Sequence, residues 1–330
     1  MSASVPAAVI VLAAGEGTRM KSSIPKVLNP VGGETMLGHV ITAARELAPR
    51  RLIVVAGHGR GQVAAELAGR APDVTVVVQE RRGGTGHAVR IVLEAVGQIH
   101  GTLLVTYADT PLLRASTLES LTAAHTAAGA AATVLTTVLP DPAGYGRIIR
   151  GADGGFEAIV EHSDATDEQR AITEINSGVY AFSGALLADA IKRVPTNNVK
   201  GEEYLTDAVG ILRADGYPVA CVRCGDPEEV MGVNDQAQLA WARRVMNDRV
   251  LSRWMGAGVT IRDPATTWID VGVELERDVE IGPGCLLRDT TVGAGAQVIQ
   301  SVCESAVIGA GNTVGPFAHL LPGTTLAANE

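Results

Sequence analysis

Residues Val9 to Leu28 read VIVLAAGEGTRMKSSIPKVL. An apolar, β-rich run stops at Gly15 and gives way to a glycine-rich turn, then to the cations Arg19 and Lys26, the second of them beside Pro25. Glycines at a strand end leave backbone N–H groups free to face an anion. Two common phosphate turns do not fit the spacing. A dinucleotide turn needs G-x-G-x-x-G, and Gly15-Glu16-Gly17-Thr18-Arg19-Met20 has Met20 where a third glycine would let helix and strand pack closely. A P-loop needs G-K-[ST], and none follows at the required distance. Two readings stay open on these residues alone. One is a phosphate cradle of its own kind, with Arg19 and with Lys26 brought back by the turn at Pro25; the other is a solvated turn.

Moving outward to about Leu139, short β-branched runs alternate with alanine-rich helical stretches. The runs are Ala8 to Leu12, Leu52 to Val55, Val74 to Val78, Leu103 to Tyr107 and Ala132 to Val138; the helices are Met36 to Leu47, Gln62 to Ala68, Gly86 to Ala95 and Ser116 to Ala128. Near-continuous apolar strands separated by helices predict a doubly wound, Rossmann-like α/β sheet covered on both faces, with ligands at the carboxyl ends of the strands. Between Tyr145 and Pro218 the pattern loosens into hairpin-like and polar segments, read as an insertion lining one side of that crevice.

Asp235 to Met255 reads as a helical connector. Beyond Gly258 aliphatic residues recur every sixth position, at Ile269, Leu275, Ile281 and Leu287, and again at Val302, Ile308, Val314, Leu320 and Leu326. A six-residue period predicts the hexapeptide parallel β-helix. The slip between Leu287 and Val302 implies a loop or irregular corner, the remaining residues hold about three coils, and no capping element is evident before Glu330.

The 330 residues suit two domains. A net charge of −9 without a block of like charge argues against nucleic acid or an anionic membrane as partner. No apolar stretch approaches the ~20 residues of a membrane span and no signal peptide is visible, so the expected location is cytoplasmic. Cys221 and Cys224 stand in a CVRC spacing, but Cys285 and Cys303 are too far apart to complete a zinc site, and all four read as buried, reduced thiols.

The run LAAGEGTRM followed by PKVL resembles the signature of sugar-1-phosphate nucleotidyltransferases. Further segments narrow the match: GTGHA (Gly84 to Ala88), DPAGYGRI (Asp141 to Ile148), IVEHSDAT (Ile159 to Thr166), EINSGVY (Glu174 to Tyr180), YLTD (Tyr204 to Asp207) and GVN (Gly232 to Asn234). In that order and spacing they are similar to the bacterial bifunctional N-acetylglucosamine-1-phosphate uridyltransferase and glucosamine-1-phosphate acetyltransferase family, over nearly the whole chain. The resemblance implies a GT-A-like nucleotidyltransferase domain over residues 1–234, a helical linker over 235–257 and the start of a left-handed β-helix over 258–330. It implies that Leu12, Ala13, Ala14 and Gly15 wrap the nucleotide, and that Gln79 with the Gly84-Thr85 backbone reads uracil. Arg19 and Lys26 would stabilise phosphate charge, and Asp109 and Asn234 would ligate Mg²⁺. On its own, Asp109 at the end of a strand also suits a helix N-cap or a turn.

The sugar side, by the same resemblance, uses Tyr107, Gly146, Glu161 and Asn176. The family usually has glycine where this chain has Ala108, and a methyl there is expected to crowd the nucleotide or a phosphate. The implied reaction is in-line attack by N-acetylglucosamine-1-phosphate on the α-phosphorus of UTP, giving pyrophosphate and UDP-N-acetylglucosamine, a peptidoglycan precursor. The family acetylates glucosamine-1-phosphate in later coils of a trimeric β-helix. Acetyltransferase activity is expected to be absent here, with Leu321 standing where the family has Arg in FAHLLPG, while the coils present would support a homotrimer. Three rivals remain. The first is a nucleotidyltransferase for dTTP or another amino sugar. The second is a silent regulatory homologue, against which Lys26, Asp109 and Asn234 are all retained, and the third is an acyltransferase, weakened by the shortage of coils.

Overall fold

A computed structural model describes residues 5–329. The chain divides into two compact units: residues up to Asn29 together with Met36–Asp235, and Pro30–Thr35 together with Gln236 onward.

The first unit is built on one sheet of nine strands: β1 (Ala8–Ala13), β2 (Leu52–Ala56), β3 (Thr75–Val78), β4 (Thr102–Tyr107), β5 (Ala132–Val138), β6 (Gly146–Arg150), β7 (Phe156–Val160), β8 (Glu174–Ser183) and β9 (Val219–Arg223), in the order β9-β5-β8-β4-β1-β2-β3 with β6 and β7 branching from β8. β1 lies parallel between β4 and β2. Side chains alternate across a strand, and both faces of β1 are covered. Val9, Val11 and Ala13 pack towards helices α1 (Met36–Glu46), α2 (Arg60–Arg70) and α4 (Ala115–Ala128), while Ile10 and Leu12 pack towards α3 (Thr85–Val96) and the helix Leu205–Ala214. Double coverage is why the run has no polar alternation.

One expectation needs correction. The segment read as an insertion contributes β8 to the sheet itself, antiparallel between β4 and β5, and only the β6–β7 hairpin hangs from its first half. Positions Ile175 to Phe182 are all buried. The polar texture of Asn176 and Ser177 hid this, yet both are satisfied inside: Asn176 Nδ2 donates to the Tyr180 hydroxyl at 2.7 Å and Ser177 Oγ donates to the Leu135 carbonyl at 2.6 Å. β9 adds a parallel edge next to β5.

In the second unit, two- and three-residue strands stack into three parallel four-stranded sheets, a left-handed β-helix with four rungs on each face. About three coils were expected. The missed coil comes from short sides: Leu287 to Val292, Val298 to Cys303 and Cys303 to Ile308 step by five residues instead of six. Each short side turns on one left-handed residue, Asp289, Gln300 or Ser305, so the slip is a tighter corner and no loop is inserted. Cys303 fills the inward place and Val302 stands beside it, half-buried. The helix Gln236–Gly256, read as a connector, packs Val250 and Leu251 into this core. Its buried Asn247 accepts from the Ile269 N–H at 3.0 Å and donates to the Thr267 carbonyl at 2.9 Å, pairing backbone that would otherwise be orphaned.

The four cysteines are free thiols. Among the described residues, no helix is long and apolar enough to cross a membrane.

Candidate active site

β1 and β4 are neighbours in register, Leu12 against Tyr107, and both end at the same sheet edge. After β1 the chain enters the glycine-bearing turn and one 3₁₀ turn, Thr18–Met20, whose Met20 is buried. Gly17 has φ 65°, and a Cβ there would stand 2.5 Å from Lys26 Cβ. A glycine is therefore required for the Lys26 segment to come back against the strand end.

Lys26 is only 9% exposed. Its ammonium pairs with the Asp109 carboxylate and donates to Asn234 Oδ1 at 3.0 Å. Asp109 stands two residues past β4, and its carbonyl accepts from the Val233 N–H at 2.8 Å, which ties the GVN segment to the strand end. Asn234 Nδ2 donates to the Gly232 carbonyl at 3.3 Å, so the amide turns its oxygen towards the cation. Two oxygens from distant parts of the chain thus converge on one positive group.

A cleft of about 540 Å³ opens around this centre. Leu12, Ala13, Ala14, Gly15, Arg19, Lys26, Gln79, Gly84, Thr85, Tyr107, Asp109 and Asn234 all line it. Gly146, Glu161 and Asn176 form a second group beside it: a Cβ on Gly146 would lie 3.5 Å from Glu161 Oε2 and 3.6 Å from Asn176 Cβ. Glu161 accepts from the Thr206 hydroxyl at 3.2 Å, and burial raises its carboxyl above the usual range. Tyr107 links the two groups. Its phenol is pushed up first by burial and then by the charges of Glu161 and Asp109.

Ala108 does not belong with them. It is fully buried among the apolar side chains of the first core cluster, which include Val11, Ala13 and Leu113, and it does not line the cleft. The expected crowding of the nucleotide by its methyl is therefore corrected. Alternation explains the placement: Tyr107 and Asp109 face the cleft, and the residue between them faces the core.

The sequence reading missed several lining residues. Arg82 pairs with Glu16 across the cleft, linking the glycine-bearing turn to the loop after β3, and this ion pair holds the Glu16 carboxyl below its usual range. The basic pair Arg81-Arg82 directly before GGTG was the available signal. Tyr145, inside the DPAGYGRI segment, is not among the lining residues, but its hydroxyl accepts from the Gly232 N–H at 3.3 Å, at the start of the GVN segment. Lys200 and Glu202 also line the cleft, from a polar loop that carried no sequence signal.

Residues 9–174 match the MobA-like NTP transferase domain. Over 99% of its length the chain is 54% identical to the bifunctional protein GlmU of Streptomyces avermitilis, covering 72% of that protein. The same protein of Streptomyces coelicolor is 54% identical over 99% of this chain and 72% of its own length. That of Thermobifida fusca is 51% identical over 94% of the chain and 68% of its own length. With domain match and chain-long similarity in agreement, the chain belongs to the bifunctional GlmU family and is a nucleotidyltransferase.

Proposed function

We propose that the cleft joins UTP to N-acetylglucosamine-1-phosphate, releasing pyrophosphate and UDP-N-acetylglucosamine. One observation carries the reading: Lys26, Asp109 and Asn234 meet at the adjoining ends of β1 and β4, beside a turn that can present backbone N–H groups to phosphate.

Asp109 and Asn234 offer two hard oxygens aimed at a single cationic point, which fits Mg²⁺, an ion that takes one or two protein ligands and completes its shell with phosphate oxygens and water. When bound there it supplies charge neutralisation at the phosphates. The protein's own residues position and stabilise. An oxygen of the sugar phosphate, already ionised at neutral pH, bonds to the α-phosphorus of UTP as the bond to the pyrophosphate oxygen breaks on the opposite side, so no general base is needed. Charge gathers on the phosphate oxygens during this exchange, and Arg19 and Lys26 offset it as fixed cations. Leu12 to Gly15 enclose the nucleotide, Gln79 with the Gly84 and Thr85 backbone faces the uracil, and Tyr107, Gly146, Glu161 and Asn176 hold the amino sugar. The homotrimer expected of the β-helix is supported by Val307, Phe317 and Leu321, large apolar side chains left exposed on it.

The test is pyrophosphate release, with four nucleotides each offered several sugar-1-phosphates. UTP with N-acetylglucosamine-1-phosphate should be preferred, and Asp109→Ala should abolish turnover with the fold intact. Preference for dTTP or another amino sugar would move the assignment within the class. Near-normal turnover of Asp109→Ala would remove the proposed site.

A further inference from the structure

Gln79 reaches the cleft with both of its amide hydrogens engaged. Its Nε2 donates to the Gly84 carbonyl at 3.1 Å and lies 2.8 Å from Nδ1 of His87. Gly84's oxygen can only accept, so the nitrogen of the amide must face it and the usual ambiguity between amide oxygen and nitrogen does not arise. It follows that His87 Nδ1 is an acceptor and that the imidazole proton sits on Nε2. The atom left for Gln79 to offer a base is Oε1, an acceptor.

The histidine is held where it is needed. It lies in the first turn of α3, only 8% exposed, and packs over the loop before the helix. A Cβ on Gly83 would stand 2.6 Å from His87 Cγ, so only a glycine leaves room for the ring. The groups facing the ring electrostatically are Glu203 from the segment strapped over this loop, Arg90 and Glu94 from its own helix, and Arg81 from the preceding loop. Burial outweighs the acidic pair and keeps the imidazole below the usual histidine range, hence neutral.

From this geometry we infer that His87 is a specificity-determining positioning residue: by accepting the second Gln79 hydrogen, it fixes the amide as a pure acceptor and selects uracil over cytosine. Uracil presents a donor, N3–H, where cytosine has a lone pair. An amide with a free N–H could donate to that lone pair; one with both hydrogens occupied cannot. A buried site built for one hydrogen-bond polarity discriminates strongly because the wrong base leaves its groups unpaired. The inference rests on the proposed uracil-facing role of Gln79 and deepens it.

Substituting His87→Leu removes the acceptor and keeps an apolar side chain in a buried place. The ratio of kcat/KM for UTP over CTP should fall about tenfold, the scale of one hydrogen-bond preference. His87→Asn retains an acceptor oxygen without a titrating group. It should restore the ratio and abolish any rise in the KM for UTP on acidification, which in the parent protein follows protonation of Nδ1. Gly83→Ala should imitate His87→Leu by displacing the ring, which gives a second route should the leucine variant fold poorly. Gln79→Ala is the control for the underlying reading and should raise the KM for UTP. If it does so while folded His87→Leu and Gly83→Ala keep the parental ratio, the role of His87 is overturned and the uracil-facing role of Gln79 stands. An unchanged KM in Gln79→Ala overturns both.

Discussion

Replacing Lys26 by methionine separates the two things this lysine does. The thioether keeps most of the aliphatic stem in its buried channel and removes only the ammonium, which is paired with Asp109 and bonded to Asn234. The structural cost is bounded by those two contacts. Side-chain exposures of 9% for Lys26 and 18% for Asp109 put the pair at a cleft wall that water still reaches, so leaving the carboxylate alone costs about 1–3 kcal/mol. In a unit of this size that lowers the melting temperature by roughly 2–4 °C per kcal/mol. The catalytic cost is larger. A unit charge about 4 Å from developing phosphate charge, at an effective dielectric near 20, is worth about 4 kcal/mol, or roughly a thousandfold in rate. Deleting a single preorganised donor elsewhere costs about 10² to 10³ in kcat.

The expected outcome for Lys26→Met is therefore a loss of about two to three orders of magnitude in kcat, with a modest change in stability. Pyrophosphate release under saturating UTP and N-acetylglucosamine-1-phosphate measures the first, and a thermal melt the second. A folded variant whose kcat stays within about fivefold of the parent would refute the view that the ammonium stabilises transition-state charge. It would leave Lys26 as a structural tie between Asp109 and Asn234.

Four further outcomes follow from the same contacts. Lys26 holds the two oxygens offered to Mg²⁺, so magnesium added without substrates should raise the melting temperature more in Lys26→Met than in the parent, because binding to the folded state alone stabilises by mass action; equal shifts would count against these ligands. Ala108→Gly removes a methyl from the core and loosens the backbone, so it should destabilise by about 1–2 kcal/mol in urea titrations while leaving the KM for UTP unaltered. Gly178 has φ 83° and an added Cβ would stand 2.3 Å from the Tyr107 ring, so Gly178→Ala should cost about 2 kcal/mol or more and raise the KM for the sugar phosphate by displacing that ring. Burial lowers the affinity of His87 and His125 for protons in the folded state. Below the ordinary histidine value of about 6.5 the unfolded chain therefore binds protons that the folded chain refuses, and stability should fall as pH drops through that window, with unfolding midpoints at pH 7.5 and pH 5.5 as the check.

The parts of the fold written as continuous apolar runs were readable: β1, β2, β4 and β5 are buried on both faces, and burial is what a hydrophobic run reports. β8 was misread because chain direction leaves no mark on composition. Its first half is also polar for a local reason, the internal bonding of Asn176 and Ser177. The β-helix announced its architecture through its period and concealed its length. A search for aliphatic residues at every sixth place stops at the first five-residue side, and the inward residue at one rung is a cysteine. Corners set by left-handed Asp289, Gln300 and Ser305 have no signature as plain as glycine or proline.

The candidate site shows the same division between what a strand end dictates and what tertiary pairing adds. Gly17, Arg19 and Asp109 could be picked out because strands ending in glycine or acid at one sheet edge make a crevice. Asn234 could not, since its approach to Lys26 across 208 residues depends on one backbone bond from Val233 to Asp109, and only resemblance to a known family pointed to it. Glu16 lay within a motif already singled out and Arg82 two residues before another, but an ion pair between two loops is invisible until both loops are placed. Ala108 is the instructive miss, because the rule that would have placed it was in hand. The two-residue alternation of a strand persists for a step or two beyond its last ladder bond, so a residue between Tyr107 and Asp109 had to face away from whatever those two side chains face. Carried past the strand end, alternation alone separates the cleft-facing side chains from the core-facing methyl.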